Sequence, residues 1–239
     1  MKRKILLSLL LAVPLLAVAA VVSFSAGTAE AGIAENYQYQ RTAQDDAKAA
    51  AVLLQRSELP QRWKVLKGGR VKPDETPSTS KDSCDGSLPK QSDLSVTGDA
   101  EARYSDGHGA LVICTSVSLF KTAAMASADW RRQNRMNTAH CVREATANQR
   151  NPRESLVALT QLPKLRCSYP NVSFLAEVAY HPAGKPSVHY MVVMTQYRAG
   201  RMEAQVVTYL RKDDARAATT ALEIHAIALT IVQPHLSAS

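Results

Sequence analysis

Residues 1–31 limit the cellular compartment in which this chain can fold. Residues 2–4 (KRK) form a basic start, and no charged residue occurs in residues 5–22. Small residues then lead to residues 29–31 (AEA), which have the small-x-small pattern of a signal peptidase site. We therefore expect a cleaved signal peptide, a mature chain that begins at Gly32, and folding outside the cytoplasm.

The apolar run of the leader has a transmembrane anchor as its alternative interpretation. Its length is at the lower limit for crossing a bilayer, and Pro14 interrupts it. No cysteine directly follows the run, so the sequence predicts no N-terminal lipid anchor, and no second apolar segment of that length occurs. Cleavage and export to the cell envelope or exterior are the preferred prediction.

The mature part has the length of one domain with a sizeable core. We expect residues 32–42 to be a flexible lead-in and residues 43–239 to be a single α+β domain. The whole chain has a formal net charge of +8, and removal of three basic residues and Glu30 with the leader lowers it to +6. This charge suits an anionic cell-surface component. The basic residues are scattered with few aromatics among them, so no nucleic acid partner is predicted.

Four cysteines remain after cleavage: Cys84, Cys114, Cys141 and Cys167. An even number in an exported chain indicates two disulfides, and three pairings are possible. We predict Cys84 with Cys141 and Cys114 with Cys167, because each bond would tie an irregular segment to a regular one. The runner-up pairs Cys84 with Cys167 and Cys114 with Cys141. A metal site is the weaker alternative, since no C-x-x-C pair occurs.

Alternating apolar residues and turn signals predict an antiparallel sheet. The main strands are expected at residues 93–104, 110–120, 172–180, 188–198 and 202–211. Helices are expected at residues 43–57, at 122–148 with Thr122 as the N-cap, and at 213–233. The short turns between strands favour a twisted antiparallel sheet with the helices packed on one face, stapled by the two disulfides. Trp130 and Ile227 are then expected to contact the sheet.

Three segments carry a resemblance to known proteins. They are residues 59–63 (LPQRW), 94–102 (LSVTGDAEA) and 116–123 (SVSLFKTA), and Trp130 lies in the helix after the third. Together they resemble a group of uncharacterised exported proteins of high-GC Gram-positive bacteria. In overall plan they are distantly similar to the extracytoplasmic sensor-like domains of mycobacterial receptor kinases and related lipoproteins. The resemblance implies a twisted antiparallel sheet, two disulfides and a cleft, and it supplies no catalytic residues.

Catalytic patterns are weak in this sequence. His140 and Cys141 are neighbours in a predicted helix, where side chains point about 100° apart, so they do not form a nucleophile–base dyad. No G-x-S-x-G motif occurs. A metal site would draw on His181, His189 and Glu177, but their pattern is more typical of ordinary strand residues. No catalytic residue, cofactor or metal is predicted.

We therefore expect an exported, non-catalytic ligand-binding or sensor-like module of the cell envelope or exterior. Its ligand would be a small apolar or envelope-derived molecule, or an anionic cell-surface component. The alternative is a secreted hydrolase with an unrecognised Ser/His/carboxylate site. Apolar strand residues with a few polar groups would favour binding. Hydrogen-bonded Ser, His and carboxylate side chains in a cleft would favour the enzyme.

Overall fold

The computed structural model describes residues 37–69, 90–106, 110–136, 140, 154–213 and 217–238. The expected signal peptide, most of the loop before β3, Cys84 and Cys141 lie outside this part of the chain. The described residues form an α+β fold with eight strands and three α-helices.

The strands, in chain order, are β1 (Gln38–Tyr39), β2 (Lys64–Gly69), β3 (Ser95–Ser105), β4 (Leu111–Phe120), β5 (Glu154–Gln161), β6 (Asn171–Tyr180), β7 (Val188–Ala199) and β8 (Met202–Arg211). The helices are α1 (Ala43–Val52), α2 (Ala123–Met136) and α3 (Ala217–Ala238).

All eight strands belong to one open sheet with the order β1-β3-β4-β8-β7-β6-β5, and β2 pairs with the same edge of β3 as β1. The pairing of β1 with β3 is parallel and the others are antiparallel, so the sheet is mixed. The four strands expected at residues 93–104, 110–120, 188–198 and 202–211 lie side by side and antiparallel, as predicted.

The helices lie on both faces of the sheet, so the prediction of helices on one face is wrong. Ile113 and Leu119 of β4 pack with α1 and α3 in one cluster. Val112 and Cys114 of the same strand belong to a second cluster, against which Trp130 of α2 packs. Because successive strand residues point to opposite faces, α2 lies across the sheet from the other two helices.

The two contacts expected between helices and sheet have different outcomes. Trp130 packs against the sheet, as predicted. Ile227 of α3 is 60% exposed, so its predicted contact is wrong. The buried stripe of α3 instead includes Ala221, Ala228 and Val232. Apolar residues occur nearly all round this helix, and its apolar content alone did not distinguish the two sides.

Threonine caps begin two of the helices. The Thr42 hydroxyl accepts a hydrogen bond from the Asp45 amide at 3.1 Å, and the Thr122 hydroxyl accepts one from the Met125 amide at 3.1 Å. The predicted Thr122 cap is therefore confirmed. The described part of α2 ends at Met136, and the expected extension toward residue 148 lies almost entirely outside the described residues.

No disulfide joins Cys114 to Cys167, so the expected stapling is not found in the described part of the chain. Cys114 is buried in the cluster on the α2 side of the sheet. Cys167 packs against the cluster that α1 and α3 form on the other side. The sheet itself separates the two sulfurs, and this is the physical reason why the expected bond is not formed.

Candidate functional site

The sheet face beneath α2, here called the α2 face, is divided into a polar half and an apolar half. Two cross-strand rows of β4, β8 and β7 form the polar half: Ser118, Glu203 and Arg198, then Ser116, Gln205 and Gln196. Residues directly opposite each other on paired strands share a face of the sheet. Polar side chains therefore lie together at one end of the α2 face.

The apolar half continues along the same strands. It consists of Val112, Cys114, Val172, Phe174, Ala176, Val178, Val192, Met194, Val207 and Tyr209. Trp130 of α2 and Leu156 and Leu159 of β5 pack against it. These ten sheet residues are all buried. The α2 face thus has the composition of a site for an amphipathic molecule, with a long apolar surface and polar groups at one end.

A chain of hydrogen bonds connects α2 to the polar half. Gln196 Nε2 donates to Gln133 Oε1 at 2.7 Å, and Gln133 Nε2 donates to Asp129 Oδ2 at 2.6 Å. The Tyr37 hydroxyl donates to Asp129 Oδ1 at 2.7 Å. Asp129 is completely buried, so its carboxylate depends on these donors in place of water.

Gln133 Nε2, which donates to Asp129 Oδ2, also donates to Glu203 Oε2 of β8 at 3.5 Å, so one amide group holds the two carboxyl groups side by side. Burial raises the pKa of Glu203 to about 10, and the charge of Asp129 adds to this shift. Burial also raises the pKa of Asp129, while the bonds from Tyr37 and Gln133 oppose that shift. The proton of the pair therefore resides on Glu203 near neutral pH, because Asp129 accepts the shorter bonds: the Tyr37 hydroxyl donates to it at 2.7 Å, and Gln133 Nε2 lies 2.6 Å from Asp129 but 3.5 Å from Glu203.

Two arginines lie beside the carboxyl pair. Arg198 is directly opposite Glu203 in the β7–β8 pairing and donates from Nη1 to the Ser127 hydroxyl of α2. Its Nε atom is buried and has no hydrogen-bond partner among the described residues. Arg132 of α2 is buried, and its charge favours the ionised form of Asp129. A carboxylate or phosphate group could accept hydrogen bonds from guanidinium groups placed in this way.

The histidine and carboxylate residues considered from the sequence do not form a metal site. Glu177 accepts hydrogen bonds from His189 Nδ1 at 2.8 Å and from Lys212 Nζ at 2.6 Å. These bonds hold the pKa of Glu177 below its usual value, and the bond from Lys212 makes the larger contribution. His181 instead contacts Ser155 and Ser187. The described residues contain no group of three potential metal ligands.

His181 is the histidine with serine contacts. Its Nε2 atom is 2.9 Å from the Ser155 hydroxyl, and its Nδ1 atom is 2.7 Å from the Ser187 hydroxyl. In a hydrolytic triad one ring nitrogen faces the nucleophile and the other faces a carboxylate that orients the ring. Ser187 occupies the position of that carboxylate here.

Sequence reasoning did not identify a polar cluster inside the other face. His225 of α3 contacts the Thr195 hydroxyl through Nε2 at 2.8 Å and the Thr208 hydroxyl through Nδ1 at 3.0 Å. Ser173 extends the set by a 2.8 Å contact with Thr195. Burial lowers the pKa of His225 to about 3, so this imidazole is neutral. The spacing of His225 from Ala221 and Leu229, four residues on either side, is the signal that could have placed it on the buried stripe.

Comparisons with known sequences and solved structures found a weak structural similarity to an extracellular domain. No protein-family model matches this sequence. No curated protein is similar to it in sequence. Among solved structures, the chain is similar to the extracellular domain of PknH from Mycobacterium tuberculosis, with a TM-score of 0.40 and 13% identity over 79% of this chain and 96% of that domain. Of the helices that the structure describes, none has the length and apolar composition needed to cross a membrane.

Proposed function

We propose that this chain is an exported, non-catalytic binding module of the cell envelope or exterior, and that its ligand contacts the α2 face. The division of this face into an apolar half and a polar half is the observation that carries the proposal. Binding sites for small molecules are mostly apolar surfaces with a few polar groups that fix orientation. The α2 face has this combination, and α2 is the helix that lies over it.

The chemistry of the face indicates an amphipathic ligand with an acidic headgroup. An acyl chain would lie along Phe174 and Met194, and the headgroup would accept hydrogen bonds from Arg198. The net positive charge of the chain also favours an anionic envelope-derived molecule. The apolar half is buried in the structure, so the ligand would enter between α2 and the sheet.

The contacts of His181 support binding over hydrolysis. Both ring nitrogens contact serine hydroxyls, whereas activation of a serine requires a base that a carboxylate orients. The carboxylate of Glu177 is engaged by His189 and Lys212 instead. The serine hydroxyls therefore contact one histidine ring, that of His181, and the Glu177 carboxylate contacts another, that of His189.

Palmitate is the probe that tests this proposal. Titration into purified residues 32–239, followed by native mass spectrometry, is expected to give a one-to-one complex. Phe174→Ala should weaken binding by about tenfold, which corresponds to roughly 1.4 kcal/mol. Leu175→Ala is the matched control, because this neighbour packs on the opposite face, and its affinity should stay within about twofold of wild type.

Three results would overturn the proposal. The first is the absence of a palmitate complex, and the second is an equal loss of affinity in both variants. The third is steady turnover of p-nitrophenyl palmitate that Ser155→Ala abolishes, which would establish the hydrolase alternative.

A further inference from the structure

The carboxyl groups of Asp129 and Glu203 join α2 to the centre of the sheet. Asp129 is fully buried on α2, and Glu203 lies on β8, which is bonded to β4 on one side and β7 on the other. Glu203 Oε1 is buried and has no hydrogen-bond partner within the described part of the chain. Two ionised carboxylates that are both buried away from water would repel each other strongly.

Polar and charged groups surround the pair on several described elements, and the cross-strand row of Glu203 continues through Ser118 of β4 to Asp99 of β3. Tyr37, which precedes β1, donates a hydrogen bond to Asp129, and Gln133 of α2 donates to both carboxyl groups. Arg132 of α2 acts on Asp129 through its charge, and Arg198 of β7 acts on Glu203 in the same way. The two guanidinium groups balance part of the negative charge of the pair.

We propose that Asp129 and Glu203 hold one proton between them and that this proton is a latch that keeps α2 on the sheet. The bond has a donor, Glu203 O–H, and an acceptor, the Asp129 carboxylate. When the proton leaves to solvent, the bond is replaced by repulsion between two carboxylates on α2 and β8. Release of α2 would uncover the α2 face. The latch is a property of the chain without ligand, so its test is independent of the proposed binding function.

The sign of the pH dependence follows from the raised pKa of Glu203. The folded chain retains this proton up to about pH 10, whereas an unfolded glutamate loses it near pH 4.5. Between these values folding takes up a proton, so this contribution to stability is complete below pH 4.5 and is lost as the pH rises toward 10. Other groups titrate in the same range, so the difference between wild type and a Glu203 variant isolates the effect.

The test is the unfolding equilibrium constant in urea from pH 5 to 9 for wild type and Glu203→Gln. The glutamine keeps a donor for Asp129 but does not titrate. The ratio of the wild-type constant to the variant constant is expected to rise by about tenfold per pH unit. Glu223→Gln, at an exposed position on α3, is the control and should give a profile parallel to wild type. Parallel profiles for wild type and Glu203→Gln would overturn the proposal.

Trp130 fluorescence reports the position of α2 directly. In a Trp63→Phe background, which leaves Trp130 as the single tryptophan, emission should shift to longer wavelength as the pH rises through about 10. The same chain with Glu203→Gln should keep its emission over that range. If that double variant does not fold, the titration of the Glu203 chain still decides, because an unchanged Trp130 spectrum up to pH 11 would overturn the latch.

Discussion

Arg201, in the turn between β7 and β8, forms a two-bonded ion pair with Asp45 in the first turn of α1. Nη1 donates to Asp45 Oδ2 at 2.8 Å, and Nη2 donates to Oδ1. Arg201 also donates to the Thr97 hydroxyl and to the carbonyl of Phe120, each at 3.2 Å. One side chain thus connects the start of α1, β3, the end of β4 and the β7–β8 turn.

Arg201→Ala is expected to lower the free energy of unfolding by about 1–2 kcal/mol, a value that allows for the partial exposure of the arginine. Arg201 holds the pKa of Asp45 below its usual value. The stabilisation is therefore present above about pH 4 and is lost as the pH falls through the lowered pKa. Urea unfolding at pH 7 and pH 3 should show a smaller difference between wild type and variant at pH 3. Arg211→Ala, which removes an exposed pair with Asp213, should change stability by less than about 0.5 kcal/mol.

Gly98 lies against the backbone of α1. A Cβ atom at this position would lie 2.5 Å from the Asp45 carbonyl oxygen and 2.7 Å from its Cβ atom. Gly98→Ala is therefore expected to displace α1 from β3 and to cost about 2–4 kcal/mol by thermal or urea unfolding. Gly200→Ala separates sterics from backbone conformation, because Gly200 has φ +58° and open space around it. It should cost only about 1 kcal/mol, and equal losses in the two variants would contradict the steric argument.

His225 makes the free energy of unfolding depend on pH in the acidic range. Its folded-state pKa of about 3 lies below that of an unfolded histidine, so unfolding takes up a proton between about pH 6.5 and pH 3. Stability is retained above that range and falls with pH within it. His225→Gln should remove a slope of up to about tenfold in the unfolding constant per pH unit. His181→Gln, a substitution at an exposed histidine, should keep the slope.

The positions of two cysteines on opposite faces change the expected disulfide pairing. We predict that oxidised protein contains no Cys114–Cys167 bond. We propose Cys114 with Cys141 and Cys84 with Cys167, because Cys141 follows α2 by five residues and α2 lies on the same side of the sheet as Cys114. Nonreducing peptide mapping of secreted protein tests this pairing. A peptide that links Cys114 to Cys167 would contradict it.

Five of the eight described strands, β3, β4, β6, β7 and β8, were predictable because each is a local pattern. In β4, residues Leu111, Ile113, Val117 and Leu119 alternate with smaller or polar residues, and a turn sequence precedes them. That pattern is typical of a strand with one strongly apolar face. This pattern does not indicate which helix covers which face of the sheet, because Val112 and Cys114 on the other face of β4 are buried as well. The assignment of α2 to its own face depends on contacts between distant segments, which no single window contains.

The polar half of the α2 face was hidden for the same reason. Asp129 and Glu203 are separated by more than seventy residues, and each resembles an ordinary surface carboxylate in its own segment. Glu203 lies in an alternating polar and apolar pattern at the start of β8, and Asp129 lies among alanines and arginines of α2. Only the β4–β8–β7 register and the position of α2 bring them together. Sequence alone identified the Thr122 cap and five of the strands, but not the contact between two remote carboxyl groups.

The position of β8 next to β4 sets the order in which the fold can be completed. Strands β3 and β4 are neighbours in both the sequence and the sheet, so they can pair as soon as both have been made, and so can β6 and β7. The inner edge of β4 has no partner until Met202–Arg211, the last strand of the described residues, has been made. Until then two partial sheets present unpaired, apolar edges, which are the surfaces that promote aggregation. This topology makes Met202–Arg211 the strand that joins the two partial sheets into one, after all the other described strands have been made.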